Sequence, residues 1–224
     1  MALTAVLFDF DGTLVDTRST SWPLFARTSH AFGLGIDTPE QFFALFSTNF
    51  YDALVRHCGD AARGAAAAAH FMDLVRRYYD PPFVPGVAEL LHALAERVTF
   101  AVISSNTRVT LERLLARAGL DSCFSDVIAG DVEPSKTRAI ACFLAGGATH
   151  APADVVLVTD TTGDVREALA AGIDAYGVAW GMHDPAQLRA AGALGVADHP
   201  DGLRDWIEQQ LDNTERGHRC RMVP

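Results

Sequence analysis

The chain has 224 residues, 49% of them hydrophobic and 21% charged, and carries a formal net charge of −10. That length suits one large domain or a core carrying a smaller insertion. The acidic balance excludes the basic face that nucleic acid or an anionic membrane would require, while leaving room for a small anionic substrate at a local positive site. The four cysteines, Cys58, Cys123, Cys142 and Cys220, are scattered without CxxC spacing and read as free thiols of a reducing compartment. No apolar run is long enough to span a bilayer. The N-terminus lacks a basic flank, and Asp9 interrupts its apolar run, so no signal peptide is expected and the predicted location is cytoplasmic.

In chain order, "TAVLFD" (4–9) is the first predicted strand, and it runs into "FDFDGT" with Asp9 and Asp11 one residue apart. Residues 16–82 then carry three helical stretches with no strand between them, over 20–32, 40–58 and 61–79. The alanine run at 65–69 serves the last as a good helix former. "FFALFSTNFY" reads as helical core rather than a substrate platform. "DPPFVPG" (80–86) punctuates the return to an alternating pattern.

Beyond it, "GVAELLHALAER" is helical and "VTFAVIS" (98–104) is a strand. "TLERLLARAG" is a helix stopped at Gly119, and "DVIAG" (126–130) a strand. "KTRAIACFLAGG" ends at Gly146, "DVVLVTD" (154–160) is a strand, and "GDVREALAAG" ends at Gly172. "AYGVAW" (175–180) is the fifth strand, with "YGVAWGMH" closing the sheet and Trp180 packing there. The tail 213–224 is polar, lacks periodicity and reads as disordered.

Near-continuous Val/Ile/Leu/Phe runs alternating with helices predict an α/β fold with a doubly wound, Rossmann-like parallel sheet. Residues 1–15 and 83–212 form its core, and 16–82 a small all-α insertion. Ligands of such sheets bind beyond the carboxyl ends of the strands. Asp9 and Asp11 stand at the first end, and Ser104, Ser105 and Asn106 at the second. Lys136 follows the third, and Asp160 and Asp164 lie at the fourth.

Carboxylates, hydroxyls and one lysine in a single crevice suit a phosphate and a divalent cation, and an oxygen-rich set favours magnesium. One aspartate of the pair would attack phosphorus; the other, two residues on, would protonate the leaving oxygen and then deprotonate water. Gly12 and Thr13 are turn residues that let the backbone approach the phosphate. Taken singly, Ser104 would satisfy nearby backbone, Lys136 would be a solvated lysine, and Asp164 would cap the helix that follows it.

"DFDGTLVDT" resembles the first motif of the haloacid dehalogenase superfamily, in particular its phosphoglycolate phosphatase-like members. "FAVISSN", the pair Ser135–Lys136 and "VVLVTDTTGDVREALAAGI" resemble the second, third and fourth motifs in order. The resemblance covers nearly the whole chain, including the helical insertion, which is similar to the family's mobile cap. It implies that Asp9 is the nucleophile and a magnesium ligand. Asp11 would be the general acid/base, with its carbonyl also facing the metal. Ser104 would bind the phosphoryl group, with Ser105 and Asn106 as neighbours; adjacent serines compete for that role, and the end of the apolar run at Ile103 favours Ser104. Lys136 would balance charge, Asp160 would bind magnesium, and Asp164 would support it directly or through water.

An acid at position 11 points to phosphate ester hydrolysis, or to transfer between sugar hydroxyls in a phosphomutase, and away from dehalogenation. The implied partner is a small phosphorylated metabolite met by a monomer or homodimer, with Arg27, Asn49 and Arg56 of the insertion as candidate contacts to the leaving group. A non-catalytic phosphate-binding module is the rival from another class, and Asp11 counts against it. Two departures stand out. Thr159 precedes Asp160 where glycine is usual, and Thr137 follows Lys136 where proline is frequent.

Overall fold

The computed structural model describes residues 3–45, 50–146 and 150–221, with side chains to 213. The chain divides into two compact units, Met1–Val15 with Phe83–Pro224, and Asp16–Pro82.

The first unit is built on six parallel strands in the order β3-β2-β1-β4-β5-β6. They are β1 (Ala5–Phe8), β2 (Thr99–Ser104), β3 (Asp126–Ala129), β4 (Val155–Thr159), β5 (Asp174–Val178) and β6 (Val196–Ala197). Strand β1 lies between β2 and β4 with Phe8 level with both Val102 and Val158. The order therefore reverses beside β1, which makes its carboxyl end the switch point of the sheet. All four residues of β1 and all five of β4 are buried, as a strand covered on both faces requires.

One face of the sheet carries Ala5, Leu7, Ala101, Ile103, Val155 and Leu157. They pack with Ile140 and Phe143 of α7 (Lys136–Ala145) and Val165 and Ala168 of α8 (Thr162–Ala170). Each fully buried Val, Leu or Ile side chain there contributes about 1.5–3 kcal/mol. The sheet does not close at "YGVAWGMH". After β5 come α9 (Pro185–Ala191) and the two-residue β6 at the edge, too short to leave an apolar run in the sequence. Helix α10 (Pro200–Arg221) follows, burying Leu203, Ile207 and Leu211, with Trp206 stacked on Tyr176 at 4.0 Å. It runs on past Asn213 to Arg221, into the stretch where disorder was expected.

The second unit holds α1 (Thr17–Phe32), α2 (Pro39–Ala44), α3 (Phe50–Cys58) and α4 (Ala61–Tyr78). The stretch expected as one helix over 40–58 is two. Its first part starts in a capping box between Thr38 and Gln41. Its core is aromatic: Phe25 stacks on Phe42 at 4.4 Å, and Phe71 meets both edge-on. Thus Phe42 of "FFALFSTNFY" is core, while residues 46–49, Asn49 among them, lie outside the described residues. Gly64 lets α4 approach α3, since a Cβ there would sit 2.7 Å from Val55 Cα. Arg27 lies over the Tyr78 ring, 5.1 Å from its centroid. Among the described residues no helix is long and apolar enough to cross a membrane.

Candidate active site

The chain leaves β1 through a tight turn in which the N–H groups of Thr13, Leu14 and Val15 all point at the Phe10 carbonyl. Asp9 precedes this turn and Asp11 lies inside it. Strand alternation puts Asp9 on the same face as Leu7, toward α7 and α8. Lys136, the first residue of α7, reaches it there: Nζ stands 2.7 Å from Asp9 Oδ1 and 2.5 Å from Asp164 Oδ2. All three groups are buried. Asp164 takes a second donor on the same oxygen, the Thr159 hydroxyl at 2.7 Å.

Asp164 is not the cap of α8. Thr161 fills that role, its hydroxyl accepting the Asp164 N–H at 3.2 Å. Asp164 is three residues further on, and its carboxylate is directed to the lysine. The N-cap of α7 is Ser135, whose hydroxyl accepts from the Arg138 N–H.

Asp160, at the end of β4, belongs to a second set of contacts. Its carboxylate accepts from the Met182 N–H at 2.8 Å and the Thr13 hydroxyl at 3.4 Å. Thr13 thus serves Asp160 through its side chain. Gly12, at φ +77, and Gly181 are both required to lack a Cβ, because a Cβ on either would collide with the Asp160 carboxylate. The His183 N–H donates to the Asp160 carbonyl, and its Nδ1 accepts from the Thr162 N–H at 2.9 Å. Trp180 is half-buried and donates from Nε1 to the Thr13 carbonyl at 3.0 Å, tying the β5 exit to the turn after β1.

A third set joins β2 to Asp11. Asn106 Nδ2 donates to Asp11 Oδ2 at 3.4 Å, and the Asn106 N–H donates to the Ser104 hydroxyl at 3.1 Å. Ser104 is buried, and accepting from Asn106 leaves its own hydrogen to donate. Ser105 is exposed. Its backbone crowds Gly130, where any side chain would clash. Of the two serines, Ser104 is the one linked through Asn106 to Asp11.

Burial raises the Asp9 carboxyl well above its ordinary range; Lys136 pulls it down, while Asp164 and Asp160 push it up again. Burial also lifts Asp160 to about 7, with the Met182 N–H opposing and Asp164 adding to the rise. Lys136 is disfavoured as a cation by burial, yet Asp9 and Asp164 together hold its proton above the usual lysine range. Three buried carboxylates thus share one ammonium, and the negative charge is under-compensated.

Residues 6–178 match the family of haloacid dehalogenase-like hydrolases. The chain belongs to that family. A phosphoglycolate phosphatase of Synechococcus elongatus is 34% identical over 214 residues, covering 92% of this chain and 98% of the relative. A protein of Dickeya dadantii named as a probable phosphatase, IndB, is 30% identical, over 86% of this chain and 88% of its own. The solved structure of a haloacid dehalogenase-like family hydrolase from Streptococcus pneumoniae shares the fold, with a TM-score of 0.82 at 20% identity across 92% of this chain and 99% of that one.

In this haloacid dehalogenase-like hydrolase, Gly181, Met182 and His183 surround Asp160, a grouping that sequence reasoning missed. They follow the end of β5, and the rule that ligands gather beyond strand ends, applied to that strand as well, points to them. The backbone contacts of Met182 and His183 depend on β4 and β5 lying side by side, with Thr159 level with Gly177.

Proposed function

We propose that this hydrolase is a magnesium-dependent phosphatase that cleaves a small phosphorylated metabolite, of the size of phosphoglycolate or a sugar phosphate, through an aspartyl-phosphate on Asp9. The observation that carries the reading is the buried Asp9 at the switch point of the sheet, 2.7 Å from Lys136, with a second acid two residues on. The phosphatase names of the curated relatives support it.

The site suits a hard divalent cation. Its donors are oxygens, and Asp160, lifted to about 7 chiefly by burial, is a carboxylate whose charge a cation would relieve. Among the described residues no group of three or more acidic, histidine or cysteine side chains is placed to hold a metal ion by itself. Magnesium takes one or two carboxylates and fills its remaining positions with water and phosphate oxygen. Asp9, Asp160 and the Asp11 carbonyl would hold it, and when bound it would neutralise charge on the phosphoryl oxygens.

The chain's own groups do the rest. Lys136 orients Asp9 and favours its ionised, nucleophilic form. Asp9 attacks phosphorus, and the bond to the leaving oxygen breaks as Asp11 gives that oxygen a proton. Asp11 then takes a proton from water, whose oxygen attacks phosphorus, releasing inorganic phosphate and restoring the Asp9 carboxylate. Ser104 would donate to a phosphoryl oxygen, and Asn106 keeps Asp11 turned toward the reacting bond.

Phosphate release from a panel of phosphorylated metabolites and an aryl phosphate, with and without magnesium, tests this. Release that stops with chelator is expected. A positional isomer of a sugar phosphate in place of free phosphate, or silence across the panel, would contradict it.

Cation-free protein provides a separate check. A folded-state carboxyl held from 3.8 up to about 7 keeps a proton that the unfolded chain releases, so stability is greatest below the lower value and is lost as pH rises toward the upper one. The melting temperature without metal is expected to fall from pH 5 to pH 8, and magnesium to raise it most at pH 8. A melting temperature that rises over that span without metal would count against the charge balance described above.

A further inference from the structure

We propose that Thr159 is a positioning residue for Lys136: its hydroxyl shares Asp164 Oδ2 with the ammonium and fixes that carboxylate as the anchor of the lysine. This rests on the phosphatase reading. Thr159 is fully buried at the last position of β4 and faces α7 and α8, as Leu157 does two residues earlier. Both capacities of its hydroxyl are in use. It donates to Asp164 Oδ2 at 2.7 Å and accepts from the Thr161 N–H at 3.2 Å.

On the other side of Asp164, Lys136 is 2.5 Å from the same oxygen and 2.7 Å from Asp9 Oδ1. A continuous row runs from Thr159 through Asp164 and Lys136 to the nucleophile. Strand geometry explains how it forms. Phe8 is level with Val158, so one residue further Asp9 and Thr159 leave neighbouring strands on the same face.

A carboxylate with one donor can swing about its Cβ–Cγ bond, carrying the lysine with it. Two donors converging on one oxygen fix its rotation. The hydroxyl thereby does for Asp164 what outer partners do for ligating histidines elsewhere: it orients a group that itself orients the reacting one. A glycine at this position would offer no hydroxyl, so the row is a property of this chain's own sequence. With Oδ2 committed to Lys136 and Thr159, Asp164 acts on Asp9 through the lysine.

The test compares Thr159→Val, close in shape but without the hydroxyl, with Thr159→Ser, which keeps it. Three quantities are read: steady-state kinetics on an aryl phosphate, magnesium affinity by calorimetry, and the nuclear magnetic resonance signal of the Lys136 ammonium, assigned by its loss in Lys136→Arg. Thr159→Val is expected to lower kcat about tenfold or more, with KM and the magnesium Kd within about twofold, and to broaden the ammonium signal by exchange with water. Thr159→Ser is expected to restore both the rate and the sharp signal. If Thr159→Val does not fold, Thr159→Ala removes the same hydroxyl and should give the same split.

An unchanged kcat with an equally sharp signal would overturn the proposal. So would a serine variant as slow as valine, or a magnesium Kd shifted tenfold with kcat intact. Should the wild type release no phosphate from any ester, the phosphatase reading falls, and the ammonium signal alone decides the role of Thr159.

Discussion

Replacing Asp9 with asparagine is expected to reduce turnover of an aryl phosphate by at least about a thousandfold, because the residual rate lacks the covalent route altogether. The same change should leave the fold intact. Asparagine matches the carboxylate in shape, its Oδ1 can still accept from Lys136, and one buried negative charge is removed from a site that holds too many. Stability without metal at pH 8 should therefore be equal to wild type or higher, by about 1 kcal/mol, a gain typical of relieving strain at a functional site. Turnover and denaturant unfolding of the same preparation separate the two effects. A variant that is inactive because it is unfolded, or one that still turns over at the wild-type rate, would not fit.

Lys136→Met should do the opposite to stability. Methionine keeps most of the apolar stem and deletes the ammonium that touches Asp9 and Asp164. Removing one partner of a buried ion pair leaves the other uncompensated and costs about 3–5 kcal/mol. Here the stranded Asp9, whose carboxyl burial already raises, can escape by taking a proton, so the loss should be largest at pH 8 and shrink toward pH 5. The wild-type lysine shows no such trend. Its folded pKa lies above the ordinary 10.5, so its contribution is complete below that value and is lost only as pH rises through the higher one. Activity should fall with the ammonium, by about a hundredfold or more. Urea midpoints of variant and wild type at the two pH values supply the comparison. A loss of stability equal at both would mean that the lysine stabilises through packing of its stem and not through charge.

The core was legible because parallel strands buried on both faces leave unbroken apolar runs, as β1, β2, β4 and β5 do; β3, at the other sheet edge, is only partly buried yet still reads as a short apolar run. The sixth, Val196–Ala197, is two residues long and makes its pairing at the sheet edge, where no run is needed. Of the candidate residues at the first four strand ends, Asp9 and Asp11 were visible as a pair that a plain strand exit does not demand, while Ser104, Lys136 and Asp164 stood out only in combination with them. Which oxygen each one meets was not. Thr161 and Asp164 are both good capping residues, and only the register of α8 decides that Thr161 caps while Asp164 turns to the lysine. Thr159 was conspicuous as a departure from the glycine expected there, but its hydroxyl acquires a role only once Asp164 is placed beside it. Gly12 was legible only as a turn residue, and Gly181 carried no mark of purpose in the sequence. Their meaning is the space they leave for the Asp160 carboxylate.

Asp9 is the proposed phosphoryl acceptor, in a site where acidic groups from separate strands would share one cation and one ammonium. A crystal structure of the wild-type protein with magnesium and fluoroberyllate tests it most directly. Beryllium is expected on a carboxylate oxygen of Asp9, with magnesium touching both Asp9 and Asp160 and Lys136 still within hydrogen-bond reach of Asp9 and Asp164. Fluoroberyllate on another residue, or a magnesium ion that does not touch Asp160, would contradict it.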